Sequence, residues 1–130
     1  SFEGDTGPYI LYTIVRIKSI LAKYAAQEGA KKVRDCVLLE AQSKAEKNLM
    51  SGLAGFNAVM DTAYVEIAPH KICAYIYQLS NDFNSFYHST KILSEEDPAK
   101  KESWIALLSL ALGILSTCID VLGFSAPERM

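Results

Sequence analysis

The sequence predicts an all-α fold, a bundle of about five helices, and three observations carry that reading. Apolar residues recur at alternating intervals of four and three along three long segments, the period of a buried helical face. Pro8, Pro69 and Pro98 stand where helices open, and Gly29 and Gly123 stand where they close. No stretch alternates apolar and polar residues as a half-buried strand does.

The first helix is expected from Tyr9 to about Glu28, with Ile10, Ile14, Ile17, Leu21 and Tyr24 as its seam and Gly29 as its stop. A second, highly charged helix is expected from Lys31 to about Met50, followed by Ser51-Gly52 and Gly55 as punctuation. A short third helix runs from about Phe56 to Val65. Pro69 opens a fourth, whose seam is Ile72, Ile76, Leu79, Phe83 and Phe86 and whose end lies near His88. Ser89 to Asp97 reads as a loop. Asp97-Pro98 is a good cap and first turn for a fifth helix reaching Leu122. Ile105, Leu108, Leu112, Leu115, Ile119 and Leu122 form its seam, Trp104 is expected half-buried, and Gly123 is expected to end it.

A chain of 130 residues, half of them hydrophobic and 22% charged, has the balance of one globular domain with a proper core. Its 13 basic and 15 acidic side chains give a net charge of −2. That excludes a domain that grips nucleic acid mainly by bulk positive charge, but not one that reads a few splayed bases. Residues 1–50 carry 8 basic and 6 acidic side chains, against 5 and 9 in residues 51–130. A polyanion is therefore expected on surfaces built by the first part.

Cys36, Cys73 and Cys118 form no CxxC pair, and His70 and His88 complete no zinc spacing, so no metal site is expected. The cysteines read as reduced thiols of a cytosolic protein, mostly core fillers. The uncharged run from Trp104 to Ile119 is 16 residues long, short for a membrane span and better suited to a buried helix. No nucleophile–base pair or phosphate loop is visible; Gly4-Asp5-Thr6-Gly7 lacks the Lys-Ser/Thr ending of a Walker loop. The opening SFEGDTGPY, without an initiator Met, is expected of a piece of a larger protein.

At about 100° per residue, Tyr9, Tyr12 and Arg16 share one stripe of the first helix beside the core seam, and Lys23 prolongs it. Two phenols and a guanidinium make a ligand surface: the rings stack a base, and the guanidinium offers planar, always-charged donors. The competing reading of the same stripe is structural, with the tyrosines packed under a neighbouring helix and Arg16 capping their hydroxyls. Lys31, Lys32 and Arg34 read as a solvated face and His70 as a surface residue.

Glu3-Gly4-Asp5-Thr6-Gly7-Pro8-Tyr9, followed by Tyr12-Thr13 and Arg16, resembles the arginyl-tRNA synthetase motif that joins the catalytic domain to the C-terminal anticodon-binding (DALR-type) domain. Pro69-His70, Tyr75-Ile76-Tyr77 and Phe83-Asn84-Ser85-Phe86-Tyr87-His88 resemble the middle of that domain. Leu122-Gly123-Phe124 and Ala126-Pro127-Glu128-Arg129-Met130 resemble its end. The resemblance covers essentially the whole chain, most weakly residues 28–50.

It implies a single anticodon-binding domain over 1–130, of the type found in class I synthetases, with 1–7 a remnant of the junction. The implied partners are an arginine tRNA and the enzyme's own catalytic domain, with no membrane, in the cytoplasm. ATP and Mg are implied for the parent ligase. No cofactor is implied for this chain, which lacks both ATP-handling signatures of class I synthetases and is expected to be inactive alone. Carried over residue by residue, the resemblance places Tyr9, Tyr12, Arg16, Tyr87 and Met130 around an extruded anticodon base. Lys18, Lys23 and Lys91 are candidate phosphate contacts. Three positions depart from the family pattern: Leu11 where Gln is usual, Val15 where Ala is common, and a last helix without basic residues from Trp104 to Ile119. That uncharged helix also suits an alternative, a helical protein-interaction module docking to a synthetase body or another protein.

Overall fold

A computed structural model describes residues 6–66 and 68–125, with side chains described as far as Gly123. The elements are α1 (Thr6–Ala25), a single 3-10 turn (Val33–Asp35), α2 (Lys44–Ala54), α3 (Phe56–Glu66), α4 (Pro69–Ser89) and α5 (Pro98–Ser125). No strand occurs among the described residues, and the expected all-α bundle of five helices stands.

The three seams meet at the centre. Ile10 and Ile17 of α1, Ile76, Leu79 and Phe83 of α4, and Ile105, Leu108 and Leu115 of α5 are all essentially inaccessible to water. α4 packs against each of the other four helices, and α5 packs against α1, α2 and α4. By length and composition alone α5 is long and apolar enough to cross a membrane, a property that buried core helices share. Here its seam is core, because burial against α1 and α4 removes the same apolar surface from water. Gly52 lets α2 approach α4 closely: a Cβ there would meet Leu79 Cδ1 at 3.1 Å and Asp82 Oδ2 at 3.2 Å. The Tyr75 hydroxyl fastens the contact by donating to the Gly52 carbonyl at 2.7 Å.

Four expectations are corrected. The long second helix is absent: residues 36–42 are not helical, and α2 starts only at Lys44. A capping box decides the start, since Ser43 Oγ accepts from Glu46 N at 3.1 Å while Gln42 N donates to Glu46 Oε1 at 3.1 Å. The preceding segment is held from a distance instead. Lys31 N donates to the Tyr24 hydroxyl at 3.0 Å, and Leu39 N donates to the buried Ser103 Oγ at 2.8 Å. Lys31 and Lys32 thus lie exposed on a loop and Arg34 exposed on the 3-10 turn, with Lys31 paired to Glu102 at 3.2 Å.

Gly123 does not stop α5, which continues to Ser125. Trp104 is buried rather than half-buried, edge-on to Phe86 with ring centroids 5.9 Å apart. Of the cysteines only Cys118 is a core filler; burial pushes its thiol up to about 11, while Cys36 and Cys73 are half-buried. Gly29 does act as expected, closing the turn after α1 at φ 80°, a conformation open to glycine at no steric cost.

Candidate functional site

The stripe on α1 lies against α4, and Tyr9, Tyr12, Arg16 and Tyr87 come together where the two helices pack. The Arg16 guanidinium is the centre of the cluster. Its Cζ lies 4.1 Å from the centroid of the Tyr87 ring and 4.7 Å from that of Tyr12. Nη2 donates to the Tyr12 hydroxyl, and Nη1 donates to Asn84 Oδ1 at 2.8 Å. A cation between two aromatic rings is attracted by both quadrupoles, so the side chain is held in one pose without being buried.

Asn84 fixes what lies beneath. It is 8% exposed, and the two hydrogens of its Nδ2 are shared among three acceptors, Thr13 Oγ1 at 3.0 Å, the Ser80 carbonyl at 3.0 Å and the Tyr9 hydroxyl at 3.1 Å. Tyr9 in turn donates to Asn81 Oδ1 at 2.7 Å, and its ring tilts against Tyr77 at 5.6 Å. Thr13 is fully buried and donates back to the Tyr9 carbonyl at 2.9 Å. Every buried side-chain polar atom among the described residues has a partner. The network costs the fold no orphaned group while leaving ring faces at the surface: Tyr12 is 53% exposed and Tyr77 43%.

The two readings of the stripe therefore coexist. Tyr9 is half under α4, as the structural reading has it, and Arg16 does bond a phenol. Tyr12 and the Arg16–Tyr87 stack nevertheless present aromatic and cationic surface to solvent.

Of the other candidates, Lys23 is exposed on the same side of α1 as the stripe. Lys18 is exposed but sits two residues beyond Arg16, about 200° round the helix, away from the cluster. Lys91 is exposed in the loop after α4, beside Tyr87. Met130 lies outside the described residues. Among those residues no group of three His, Cys, Asp or Glu side chains is arranged to hold a metal.

Sequence reasoning overlooked Tyr77, Asn81 and Asn84 as site residues. A signal existed: Tyr77, Asn81, Asn84 and His88 recur at intervals of four, three and four along α4, a polar stripe beside the seam. Two asparagines in the middle of a helix have weak helical propensity and need a reason to be there.

Comparison with known proteins gives the same direction. Residues 10–130 match the DALR anticodon binding domain family. The chain is 62% identical over 130 residues to an arginine–tRNA ligase of Agathobacter rectalis and 48% identical over 132 residues to one of Alkaliphilus oremlandii. Each match takes in all of this chain but 22% of the relative, so the chain spans under a quarter of those proteins. A crystal structure of a Campylobacter jejuni protein described as an arginyl-tRNA synthetase superposes with a TM-score of 0.75 at 26% identity. That superposition covers 88% of this chain and 24% of the other.

Proposed function

The chain belongs to the DALR anticodon-binding domain family, and from that premise we propose that it docks the anticodon loop of an arginine tRNA within an arginine–tRNA ligase. The observation that carries the reading is the Tyr12–Arg16–Tyr87 stack, assembled by two helices and open to solvent. Every arginine codon has G in the middle, so every arginine anticodon has C there. One reader of that base serves all isoacceptors. Loop bases are recognised by splaying them out, stacking them and contacting their exposed edges.

In this reading Tyr9, Tyr12 and Tyr87 supply the stacking walls, and Met130 closes the ring as an apolar lid. Arg16 donates to the exposed base edge, where cytosine N3 accepts and uracil N3 carries a hydrogen, or to the adjacent phosphate, and Lys23 and Lys91 meet the backbone. Asn84 is a positioning residue that holds Arg16 and Tyr9 without touching RNA. Attachment of arginine, with ATP and Mg, belongs to the remainder of the ligase, joined through residues 1–7, in the cytoplasm.

A second surface favours an additional contact with that remainder. Leu38 and Leu110 are 45% and 47% exposed around an apolar cavity of about 510 Å³. Patches of this kind mark interaction sites on soluble domains.

Tyr87→Ala is expected to weaken an arginine anticodon stem-loop by about 1–3 kcal/mol, the scale of base–aromatic stacking. Fluorescence titration of the folded variant measures this. Unchanged affinity would remove Tyr87 from the site and leave the protein-contact reading as the better one.

A further inference from the structure

Phe56, Val59, Met60, Tyr64 and Val65 of α3 are large and apolar, yet only Ala63 of that helix is buried. Ala63 is turned into the core, Val65 falls about 200° round the helix from it, and Tyr64 lies between. Tyr64 and Val65 are 85% and 78% exposed. An apolar cavity of about 280 Å³ opens beside them, lined by Met60, Ala63 and Tyr64 of α3, Pro69 and Ile72 of α4 and Val121 of α5. No charged side chain among the described residues lines it, and Glu66 and Lys71 at the same corner pair with each other at 2.6 Å.

The cavity lies at one particular end of the bundle. Tyr9 meets Tyr77 and Asn81, and Arg16 meets Asn84 and Tyr87, so α1 and α4 run in the same direction. α5 runs the other way: Trp104 near its start meets Phe86 near the end of α4, and Val121 near its end lines the cavity with Ile72. The starts of α1 and α4 and the end of α5 therefore point to the same end. Pro69 stands eight positions before Tyr77, about 12 Å along α4. The five residues before Thr6 can reach up to about 17 Å.

We propose that α3 is a docking helix for the rest of the ligase, which covers Tyr64 and Val65 and seats an uncharged apolar side chain in this cavity. The proposal rests on the reading above, in which the chain is part of an arginine–tRNA ligase joined through residues 1–7. Two observations select the occupant. The chain spans 22% of the ligases it matches, so on that reading most of the protein lies outside it and joins at the end of the bundle that holds the cavity. Phe56, at the start of α3, also lines the cavity flanked by Leu38 and Leu110, so one partner surface can follow α3 from one apolar cavity to the other. The uncharged lining admits an aliphatic or aromatic side chain and rejects an ion, which would lose its hydration without gaining a partner.

The test compares thiol labelling of Val65→Cys in the 130-residue chain and in the full-length ligase, read on the modified peptide by mass spectrometry. Labelling in the ligase is expected to be about tenfold or more slower. Ser94→Cys, in the exposed loop beyond the far end of α4, should label at the same rate in both. Adding Tyr64→Lys is expected to return Val65→Cys in the ligase to within about threefold of its rate in the chain, because docking would then bury an unpaired charge. The same substitution should leave the urea midpoint and the stem-loop affinity of the chain unchanged. Equal labelling of Val65→Cys in chain and ligase overturns the docking, and the preference of the chain for middle C over middle U then still decides the anticodon reading on its own. Slow labelling in the chain itself, relieved by dilution, makes a second copy the occupant and also overturns it. Protection that Tyr64→Lys leaves intact overturns the seat at this cavity.

Discussion

Arg16→Met is expected to weaken binding of an arginine anticodon stem-loop by about 2–4 kcal/mol, roughly 30- to 800-fold. The substitution keeps a long apolar side chain but removes the charge that lies over Tyr12 and Tyr87 and both of its donated hydrogen bonds. Tyr12 and Tyr87 then lose the group that holds their rings in register, and the base loses its charged donor. Folding should suffer less, by about 1 kcal/mol, because the Arg16–Asn84 bond is only part-buried and a water can reach the freed carbonyl once the guanidinium is gone. Arg16→Lys is expected to recover only part of the loss. An ammonium restores the charge but not a planar group that stacks on one ring while bonding in two directions. Isothermal titration of the three proteins gives the ranking, and chemical denaturation separates affinity from stability.

Asn84→Ala is expected to cost about 2–4 kcal/mol of folding stability and to weaken the same stem-loop as well. One amide serves both halves of the network: its carbonyl takes the Arg16 donor, and its NH2 group reaches Thr13, Tyr9 and the Ser80 carbonyl. Truncation leaves Arg16 without its α4 anchor and puts a small cavity beside the fully buried Thr13. Urea unfolding should show a lower midpoint with an unchanged slope, the mark of lost stability rather than an altered unfolded state. Asn84→Asp should do no better. A carboxylate still accepts from Arg16, but it has nothing to donate to Tyr9 and faces the Ser80 carbonyl with like partial charge.

The helices with continuous seams were legible in the sequence, and so was half of the candidate site. Ile10 through Tyr24 and Ile72 through Phe86 each mark a buried face, and a residue beside such a face can be placed by rotation alone. That is how Tyr9, Tyr12, Arg16 and Lys23 fell on one stripe. What one helix meets on another is not written in either period. Asn84 becomes a hub only because α1 and α4 pack at that point, bringing it to Tyr9, 75 positions away along the chain.

Residues 31–42 show the opposite failure. They contain no glycine or proline to break a helix, and their charge reads as a solvated helical face. Their conformation is set by Tyr24 and Ser103, whose hydroxyls capture the Lys31 and Leu39 amides. The local signal that contradicted the long helix was Ser43 with Glu46 three residues later, a start signal in the middle of the expected element.

The most direct test of the account is a titration of this chain with an arginine anticodon stem-loop and a copy whose middle C is replaced by U. A site that reads the exposed edge of that base should bind the C loop about tenfold or more tighter, since uracil carries a hydrogen at N3 where cytosine offers Arg16 an acceptor. Equal affinities for the two loops would contradict it.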